Sequence, residues 1–263
     1  MQHFVRRLAT LPPARALLRH RYTQRFGSAR GAGALCGVYA SFEAAKLAIP
    51  PAFARGYATS GTGAMYRDLL DGVRPKDYPA LFWLRGILPG AERVFDLGGH
   101  VGVSFFAYQR YIEYAPALRW LVCDVDEVVR DGVALARERN VTQLRFTTDT
   151  NEGEGADVLL ASGSLQYIPR TLPEIVAGWQ QLPRHIVVNQ MPTHPDRSFF
   201  TLQNIGVAIC PYRIAAHDTL PTALAALGYE LVDTWEDPSR RTAVPHEPDG
   251  GPIAYTGYYL RMR

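Results

Sequence analysis

The sequence predicts an α/β protein with a largely parallel sheet, and two observations support this fold class. From residue 91 onward, short apolar runs alternate with segments of helical periodicity. The first run, residues 93–97, leads directly into a glycine-rich turn and then into a helix-like segment. A strand, a glycine turn and a helix in that order form the first unit of a nucleotide-binding sheet. We therefore expect parallel strands joined by right-handed helical crossovers.

The remaining elements of this body are predicted from apolar runs and helical spacing, in chain order. Further strands are expected at residues 118–124, 143–148, 157–161 and 185–189, with a final pair at 229–235 and 254–262. Helices are expected at residues 103–112, 128–139, 172–182 and 219–227. Residues 190–213 contain three prolines and are interpreted as an irregular insertion.

Two segments precede the body. Residues 34–90 show helical spacing interrupted by prolines, and we interpret them as a helical cap over the ligand-binding edge of the sheet. Residues 1–33 combine an arginine-rich stretch with a glycine-rich linker. The predicted units are therefore 1–33, 34–90 and 91–263.

Charge is distributed unevenly along the chain. Residues 1–42 contain seven arginines and no acidic residue, which leaves 21 of the 28 Lys+Arg residues against 25 Asp+Glu. Because the body is mildly acidic, a nucleic-acid-binding surface is not expected. Three interpretations of the basic segment stay open: packing against the body, weak contact with an anionic membrane surface, or an organelle presequence.

The three cysteines are isolated from one another and match neither a disulfide framework nor a metal-ligand spacing. No metal site is therefore expected. A reducing, cytoplasmic compartment fits this cysteine usage, with attachment at the inner membrane if the basic segment binds lipid. The sequence leaves the oligomeric state open.

The glycine turn reads Asp96-Leu97-Gly98-Gly99-His100-Val101-Gly102. A dinucleotide fingerprint requires glycine at relative positions 1, 3 and 6. Counted from Gly98, the third and sixth positions hold His100 and Val103, which disfavours a dehydrogenase or epimerase. The turn instead resembles motif I of class I S-adenosylmethionine-dependent methyltransferases, Asp/Glu-x-Gly-x-Gly-x-Gly. His100 replaces the middle glycine, and histidine tolerates left-handed backbone better than most residues.

This resemblance implies a Rossmann-like seven-stranded methyltransferase sheet with an N-terminal helical cap, and S-adenosyl-L-methionine as the cofactor. Asp124 ends the next predicted strand, where an acid can accept hydrogen bonds from both ribose hydroxyls. Asp126 is the rival acid, and a carboxylate here can also simply cap a helix. The cofactor-binding residues implied by the resemblance are Asp96, Gly98, Gly99, His100, Gly102, Asp124, Val125, Ser162 and Gly163.

The fourth predicted strand runs into Ser162-Gly163-Ser164-Leu165-Gln166-Tyr167. In the resembled enzymes this position faces the methyl donor, and small residues allow close approach to it. The chain lacks the Asn/Asp-Pro-Pro-Tyr/Phe motif of enzymes that methylate amino groups of bases or glutamines. Gln166 and Tyr167 can reach a substrate from here, although a tyrosine at a helix start often serves packing alone.

Six stretches together resemble, more closely, one bacterial family of methyltransferases whose members tend to be encoded among genes for surface polysaccharides and other glycans. The similarity spans about residues 35–263 and implies a small-molecule acceptor, for which we expect a hydroxyl of a sugar or glycan precursor. The stretches are Tyr39-x-x-Phe42-Glu43, Tyr78-Pro79, Val94 to Gly102, Ser162 to Tyr167, Phe200-Thr201-Leu202-Gln203-Asn204 and Pro211-Tyr212-Arg213.

Methyl transfer to a hydroxyl depends on positioning and benefits from a general base. The candidate bases are His100, His194 and Tyr167, and each histidine also has an ordinary structural interpretation. His194, just beyond the fifth strand, is favoured as the base, with Tyr167 as the second catalytic candidate. The alternative hypothesis is a protein that keeps the fold and binds the cofactor without catalysis, because His100 departs from the motif and no base is unmistakable.

Overall fold

The computed structural model describes residues 12–51, 53 and 70–263. The helices are α1 (Pro12–Phe26), α2 (Phe42–Leu47), α3 (Tyr78–Ile87), α4 (Val103–Tyr108), α5 (Asp126–Glu138), α6 (Leu172–Val176) and α7 (Thr219–Ala225). The strands are β1 (Leu35–Tyr39), β2 (Arg93–Leu97), β3 (Arg119–Cys123), β4 (Leu144–Thr147), β5 (Val158–Ser162), β6 (His185–His194), β7 (Phe199–Asn204), β8 (Ile209–Ala216), β9 (Tyr229–Glu236) and β10 (Ala254–Met262).

The body of the sheet has the order β4-β3-β2-β5-β6-β10-β9. The first five of these strands run parallel to one another, whereas β10 is antiparallel to both β6 and β9. These are the seven strands expected from the sequence, and the predicted α/β, Rossmann-like fold class is confirmed. Because β2, β3 and β5 are parallel, their carboxyl ends meet at one edge of the sheet, where ligands bind in such folds.

The central strands are apolar because both of their faces are covered. On one face, Val94 of β2 and Leu160 of β5 belong to a buried cluster with Leu84 of α3 and Phe105 of α4. On the other face, Phe95 belongs to a second buried cluster that includes residues of α6 and α7. Alternate residues of a strand thus point into different cores, which holds the strand ends in fixed positions.

Residues 190–213 are ordered strand rather than the predicted irregular insertion, and that prediction was wrong. β6 continues to His194, and β7 and β8 form an antiparallel pair that β6 joins through Thr193 and His194. The prolines misled the prediction because each lies where the sheet tolerates it. Pro192 pairs with β10 on one side, while on the other side the pairing of β6 with β5 ends at Asn189 and its pairing with β8 begins at Thr193.

The predicted helical cap contains the helices α2 and α3, but it begins with a strand. Strand β1 pairs antiparallel with β7 and so extends the β7–β8 pair to three strands. Helix α2 begins after Ser41, whose side chain accepts a hydrogen bond from the Ala44 N–H at 3.0 Å. Within this segment, residues 52 and 54–69 lie outside the described residues, as do residues 1–11 of the basic segment.

The described part of the basic segment forms α1, and its C-terminal end packs on the body. Phe26 is buried and the Tyr22 hydroxyl donates to the Leu35 carbonyl. The N-terminal half is different, because Leu17 and Leu18 are 52% and 40% exposed there among arginines. Within the described residues, no helix is long and apolar enough to cross a bilayer.

Candidate functional site

A cavity lies at the sheet edge where β2, β3 and β5 end. Gly98, Gly99 and His100 line it after β2, Asp124 and Val125 after β3, and Ser162 to Ser164 after β5. Three connections that are far apart in the sequence therefore meet at one place. The other lining residues are Gly72, Arg74, Asp77, Val103, Ser104, Ala107, Tyr108, Tyr167 and Ile168.

The glycine turn adopts a conformation that other residues rarely take. Gly98 and Gly102 have φ angles of +73° and +89°, and His100 has a φ angle of 58°. A Cβ on Gly98 would lie 2.2 Å from the Cβ of Ser164, and one on Gly102 would lie 2.7 Å from the side chain of Leu144. The turn is also tied to β3, since the Gly98 N–H donates to the Cys123 carbonyl at 2.7 Å. Glycine is thus required here both by backbone conformation and by space.

Asp96 lies beneath the turn rather than in the cavity. It is fully buried, and its Oδ2 accepts a hydrogen bond from Trp120 Nε1 at 3.1 Å. Its Oδ1 has no hydrogen-bond partner among the described residues. The pKa of Asp96 is raised to about 7, chiefly by burial; the Trp120 hydrogen bond opposes this rise and the neighbouring Asp124 adds to it. This carboxyl group supports the turn from below, because a Cβ on Gly99 would lie 2.4 Å from it.

The raised pKa of Asp96 predicts a specific pH dependence of stability. The folded state keeps a proton on Asp96 that the unfolded state loses above about pH 4, so this group destabilises the fold increasingly up to about pH 7. Asp96→Asn removes the titration while keeping the shape. We expect the free energy of unfolding of the variant, minus that of the wild type, to rise by roughly 1.4 kcal/mol per pH unit in this interval. Above about pH 7 this difference should stay constant. Urea unfolding from pH 4.5 to 8 measures this; parallel pH profiles would contradict it.

Asp124 faces the cavity and organises the loop opposite. Its Oδ2 accepts from the His100 backbone N–H at 3.0 Å, and its Oδ1 accepts from the Val125 backbone N–H at 2.8 Å. Burial raises the pKa of Asp124 to about 6, and the two backbone hydrogen bonds lower it. Each carboxylate oxygen keeps a further lone pair, so Asp124 can still accept hydrogen bonds from a ligand in the cavity.

The connection after β5 is held close to the turn. The Ser164 hydroxyl donates to the Leu97 carbonyl, and the Gly163 N–H donates to the Asn189 carbonyl at 2.8 Å. Gly163 itself has a left-handed φ of +70°. Tyr167, a predicted catalytic residue, lines the cavity, and its hydroxyl donates to Gln203 Oε1 at 2.5 Å. Tyr167 is therefore fixed in place by β7, a strand that the sequence did not predict.

The structure does not bring His194 to this cavity. His194 is the last residue of β6, and it is buried with its Nδ1 accepting from the Asp196 N–H at 3.1 Å. Its ring packs edge-to-face on Phe199, with the centroids 5.9 Å apart. Its assignment as the general base stays a prediction that no described contact with the cavity supports. Asp96 and Gly102 also lie behind the lining, as parts of the turn's support.

Two residues at the cavity, Arg74 and Asp77, were missed by sequence reasoning. Asp77 is buried; its Oδ2 accepts from Arg74 Nε at 3.1 Å, and its Oδ1 accepts from Asn189 Nδ2 at 3.3 Å. The same Asn189 nitrogen donates to the Ser162 hydroxyl, so this network joins the residues just before α3 to the end of β5 and the middle of β6. The only signal was a short charged run before a helix, which is more often solvated.

Comparison with known proteins identifies the fold. No family model and no curated protein sequence matches the chain. Magnesium protoporphyrin IX methyltransferase (ChlM) from Synechocystis PCC 6803 with bound S-adenosylhomocysteine (SAH) superposes with a TM-score of 0.52 and 14% identity, covering 79% of this chain and 96% of ChlM. The N-terminal domain of EvdMO1 with SAH bound gives a TM-score of 0.50 and 15% identity, over 73% and 83% of the chains. The chain thus has the fold of S-adenosylmethionine-dependent methyltransferases.

Proposed function

We propose that this protein transfers a methyl group from S-adenosylmethionine to a hydroxyl of a small molecule. The observation that carries the proposal is the convergence of three loops on one cavity: the strained glycine turn, Asp124, and the small residues Ser162 and Gly163. Solved structures of the same fold hold this cofactor or its product. The sequence resemblance to motif I supports the same assignment.

The residues present fit this cofactor. Asp124 would accept the ribose hydroxyls, Val125 would lie beside the adenine, and the backbone of Gly98 and Gly99 would admit the cofactor at close range. Asp77 pairs with Arg74 at 3.1 Å and with Lys76 at 3.5 Å, so the carboxylate that faces the cavity without a cationic partner among the described residues is Asp124. A sulfonium suits a site with this carboxylate, whereas the pyrophosphate of a dinucleotide would be repelled by it.

When bound, S-adenosylmethionine would supply a sulfonium methyl group; the acceptor hydroxyl would take it and release its proton to water, leaving the neutral thioether SAH. The protein's contribution is to hold the acceptor in line with the methyl group. Tyr167 is proposed to orient the acceptor, because its ring lines the cavity and Gln203 fixes its hydroxyl. A hydroxyl of a sugar or glycan precursor is the proposed acceptor, on the strength of the sequence resemblance and of the missing Asn/Asp-Pro-Pro-Tyr/Phe motif.

Calorimetry and isotope labelling test this proposal together. Purified full-length protein should bind S-adenosylmethionine and SAH saturably in calorimetry. Incubation of cell extract with the protein and cofactor labelled on the methyl group should yield a labelled small molecule in mass spectrometry. The control is the same extract without the protein. If the wild type binds neither form of the cofactor, the proposal is wrong.

Cofactor binding without methyl transfer is the second candidate function. It is favoured by the position of His194, which lies outside the cavity, and by the hydrogen bond that occupies the Tyr167 hydroxyl. The same experiment separates the two candidates. Saturable binding with no labelled product from any extract fraction would favour the non-catalytic protein.

We also propose that the protein is cytoplasmic and that α1 brings it to an anionic membrane surface, weakly and reversibly. Leu17 and Leu18 are exposed close to Arg21, so apolar side chains and a basic one are available together at the surface, while Arg19 pairs with Glu247 at 2.8 Å. Changing both leucines to aspartate should reduce co-sedimentation with phosphatidylserine vesicles. Leu47→Asp is the matched control, because Leu47 is 80% exposed but lies on α2. Equal sedimentation of all three proteins would leave only packing against the body.

A further inference from the structure

A second cavity adjoins the cofactor cavity and shares a wall with it. Its volume is about 760 Å³, within the range of roughly 300–1,000 Å³ typical of sites for small molecules. The shared wall is residues 163–171, of which Tyr167 and Ile168 line the first cavity and Leu165, Gln166 and Pro169 line the second. Helices α2, α6 and α7 and strand β8 supply most of the other walls.

The walls of the second cavity are mainly apolar and partly aromatic. Phe42 and Phe200 meet edge-to-face with their centroids 6.2 Å apart, and Leu165, Met191 and Leu220 complete the apolar lining. Flat aromatic walls with aliphatic neighbours suit a ring-containing ligand, because rings pack well edge-to-face and stacked. The apolar surface that such a ligand would remove from water favours binding.

Two buried polar atoms of residues in this wall, Gln166 Oε1 and Arg213 Nε, have no hydrogen-bond partner among the described residues. Gln166 is only 5% exposed, and its Nε2 donates to the Gly163 carbonyl at 2.7 Å. This hydrogen bond fixes the orientation of the amide, since only the nitrogen can donate to a carbonyl. The Oε1 atom is left buried, with no hydrogen-bond partner among the described residues. A buried acceptor of this kind is satisfied by a donor, such as a hydroxyl or an N–H group.

The charged side chains Arg213 and Glu174 both make hydrogen bonds within the cavity wall, so the site does not demand a charged ligand. The Arg213 guanidinium donates to the carbonyls of Ile168 and Pro169, and it lies over the Phe200 ring at 5.3 Å. The Glu174 carboxylate caps the start of α6 by accepting from the Thr171 N–H. Arg213 thus holds the shared wall in position through one guanidinium nitrogen, while its buried Nε has no hydrogen-bond partner among the described residues.

We propose that the second cavity binds a neutral, ring-containing part of the methyl acceptor, and that a hydroxyl or N–H group of this part donates to Gln166 Oε1. The inference rests on the proposed methyltransferase function and adds a feature of its acceptor. Gln166 links the two sites directly, because the carbonyl that orients it belongs to Gly163, which lines the cofactor cavity. A sugar hydroxyl that is methylated would then belong to a molecule that also carries an apolar ring.

The test uses 2-naphthol as the probe and 2-methoxynaphthalene as a matched compound that lacks a hydrogen-bond donor. The binding of each is measured by calorimetry to the whole protein saturated with SAH. Ala223→Trp fills the cavity from α7, and the control Ala225→Trp adds the same side chain at an exposed position of that helix. Gln166→Met removes the acceptor at similar volume. Calorimetric SAH titrations on every variant report whether the cofactor site and the fold are intact.

We expect saturable 2-naphthol binding that Ala223→Trp abolishes and Ala225→Trp leaves unchanged. The wild type should prefer 2-naphthol over 2-methoxynaphthalene by about tenfold, the ratio that one hydrogen bond supplies, and Gln166→Met should remove this preference. If SAH binds but 2-naphthol does not, or if Ala223→Trp has no effect, the second cavity is not an acceptor site and the proposed function stands. If SAH does not bind the wild type, both proposals fall.

Discussion

Replacing Asp124 with alanine is expected to weaken S-adenosylmethionine binding by about a hundredfold or more. Two hydrogen bonds from ribose hydroxyls to a carboxylate, at roughly 1.5 kcal/mol each, account for about that factor. The variant also loses the hydrogen bond that holds the His100 N–H at 3.0 Å, so the turn loses support at the same time. Calorimetric titration of the purified variant with S-adenosylmethionine measures the loss.

The variant Asp124→Asn separates these two contributions. The asparagine side chain can still accept the His100 N–H through its oxygen, but its amide nitrogen cannot accept a second hydroxyl. We therefore expect an affinity between those of the wild type and Asp124→Ala. Because burial raises the pKa of Asp124 to about 6, wild-type affinity should also fall as the pH drops below 6, and that of Asp124→Asn should not.

Asp126→Asn is the matched control, because the sequence alone left Asp126 as a rival for the same role. The structure places Asp126 at the first position of α5, exposed and outside the cavity lining. Its substitution should leave cofactor affinity unchanged and cost only a little helix stability. A larger loss of cofactor affinity in Asp126→Asn than in Asp124→Asn would place the ribose site at Asp126 and refute the proposed arrangement.

The parts of the site that could be predicted from the sequence are those with local signals. The turn after β2 carries glycines at positions where φ is positive, and Asp124 directly follows an apolar run that becomes β3. Each pattern lies within one strand and the loop that follows it, so it can be recognised in the sequence without knowledge of the tertiary structure. The parallel order of the strands then brings the loops together.

The parts that could not be predicted depend on contacts between distant segments. The second cavity is built from α2 together with α6, β8 and α7, and α2 lies more than a hundred positions before the other three in the chain. Pro192 suggested an interruption at a point where β6 in fact continues. The sheet accepts this proline because no strand pairs with β6 at Pro192 on that side, and strand pairing cannot be read from the local sequence. His194 was placed at the ligand edge by its position after the fifth strand, but the longer strand carries its ring to Phe199 instead.

Among glycine-to-alanine substitutions in the turn, Gly98→Ala is expected to reduce stability the most. The alanine must adopt a φ of +73°, which costs about 1–2 kcal/mol for a residue with a Cβ. Its Cβ would also lie 2.2 Å from that of Ser164, and overpacking of this kind typically costs about 1–3 kcal/mol. Urea unfolding should show the loss in the free energy of unfolding, and calorimetry should show weakened cofactor binding because the turn must shift.

Two further variants separate the steric cost from the conformational one. Gly86→Ala adds a methyl group to α3, where a Cβ would meet nothing within 4 Å, and should stabilise the protein by about 0.5–1 kcal/mol. Ser164→Gly removes the atom that Gly98→Ala would strike, at the cost of the hydrogen bond to the Leu97 carbonyl. The double variant Gly98→Ala/Ser164→Gly should therefore lose less stability than the sum of the losses of its two single variants, by about 1–3 kcal/mol. Additive losses would mean that the turn avoids Ser164 by moving, and the unfolding data would then assign the cost to the φ angle alone.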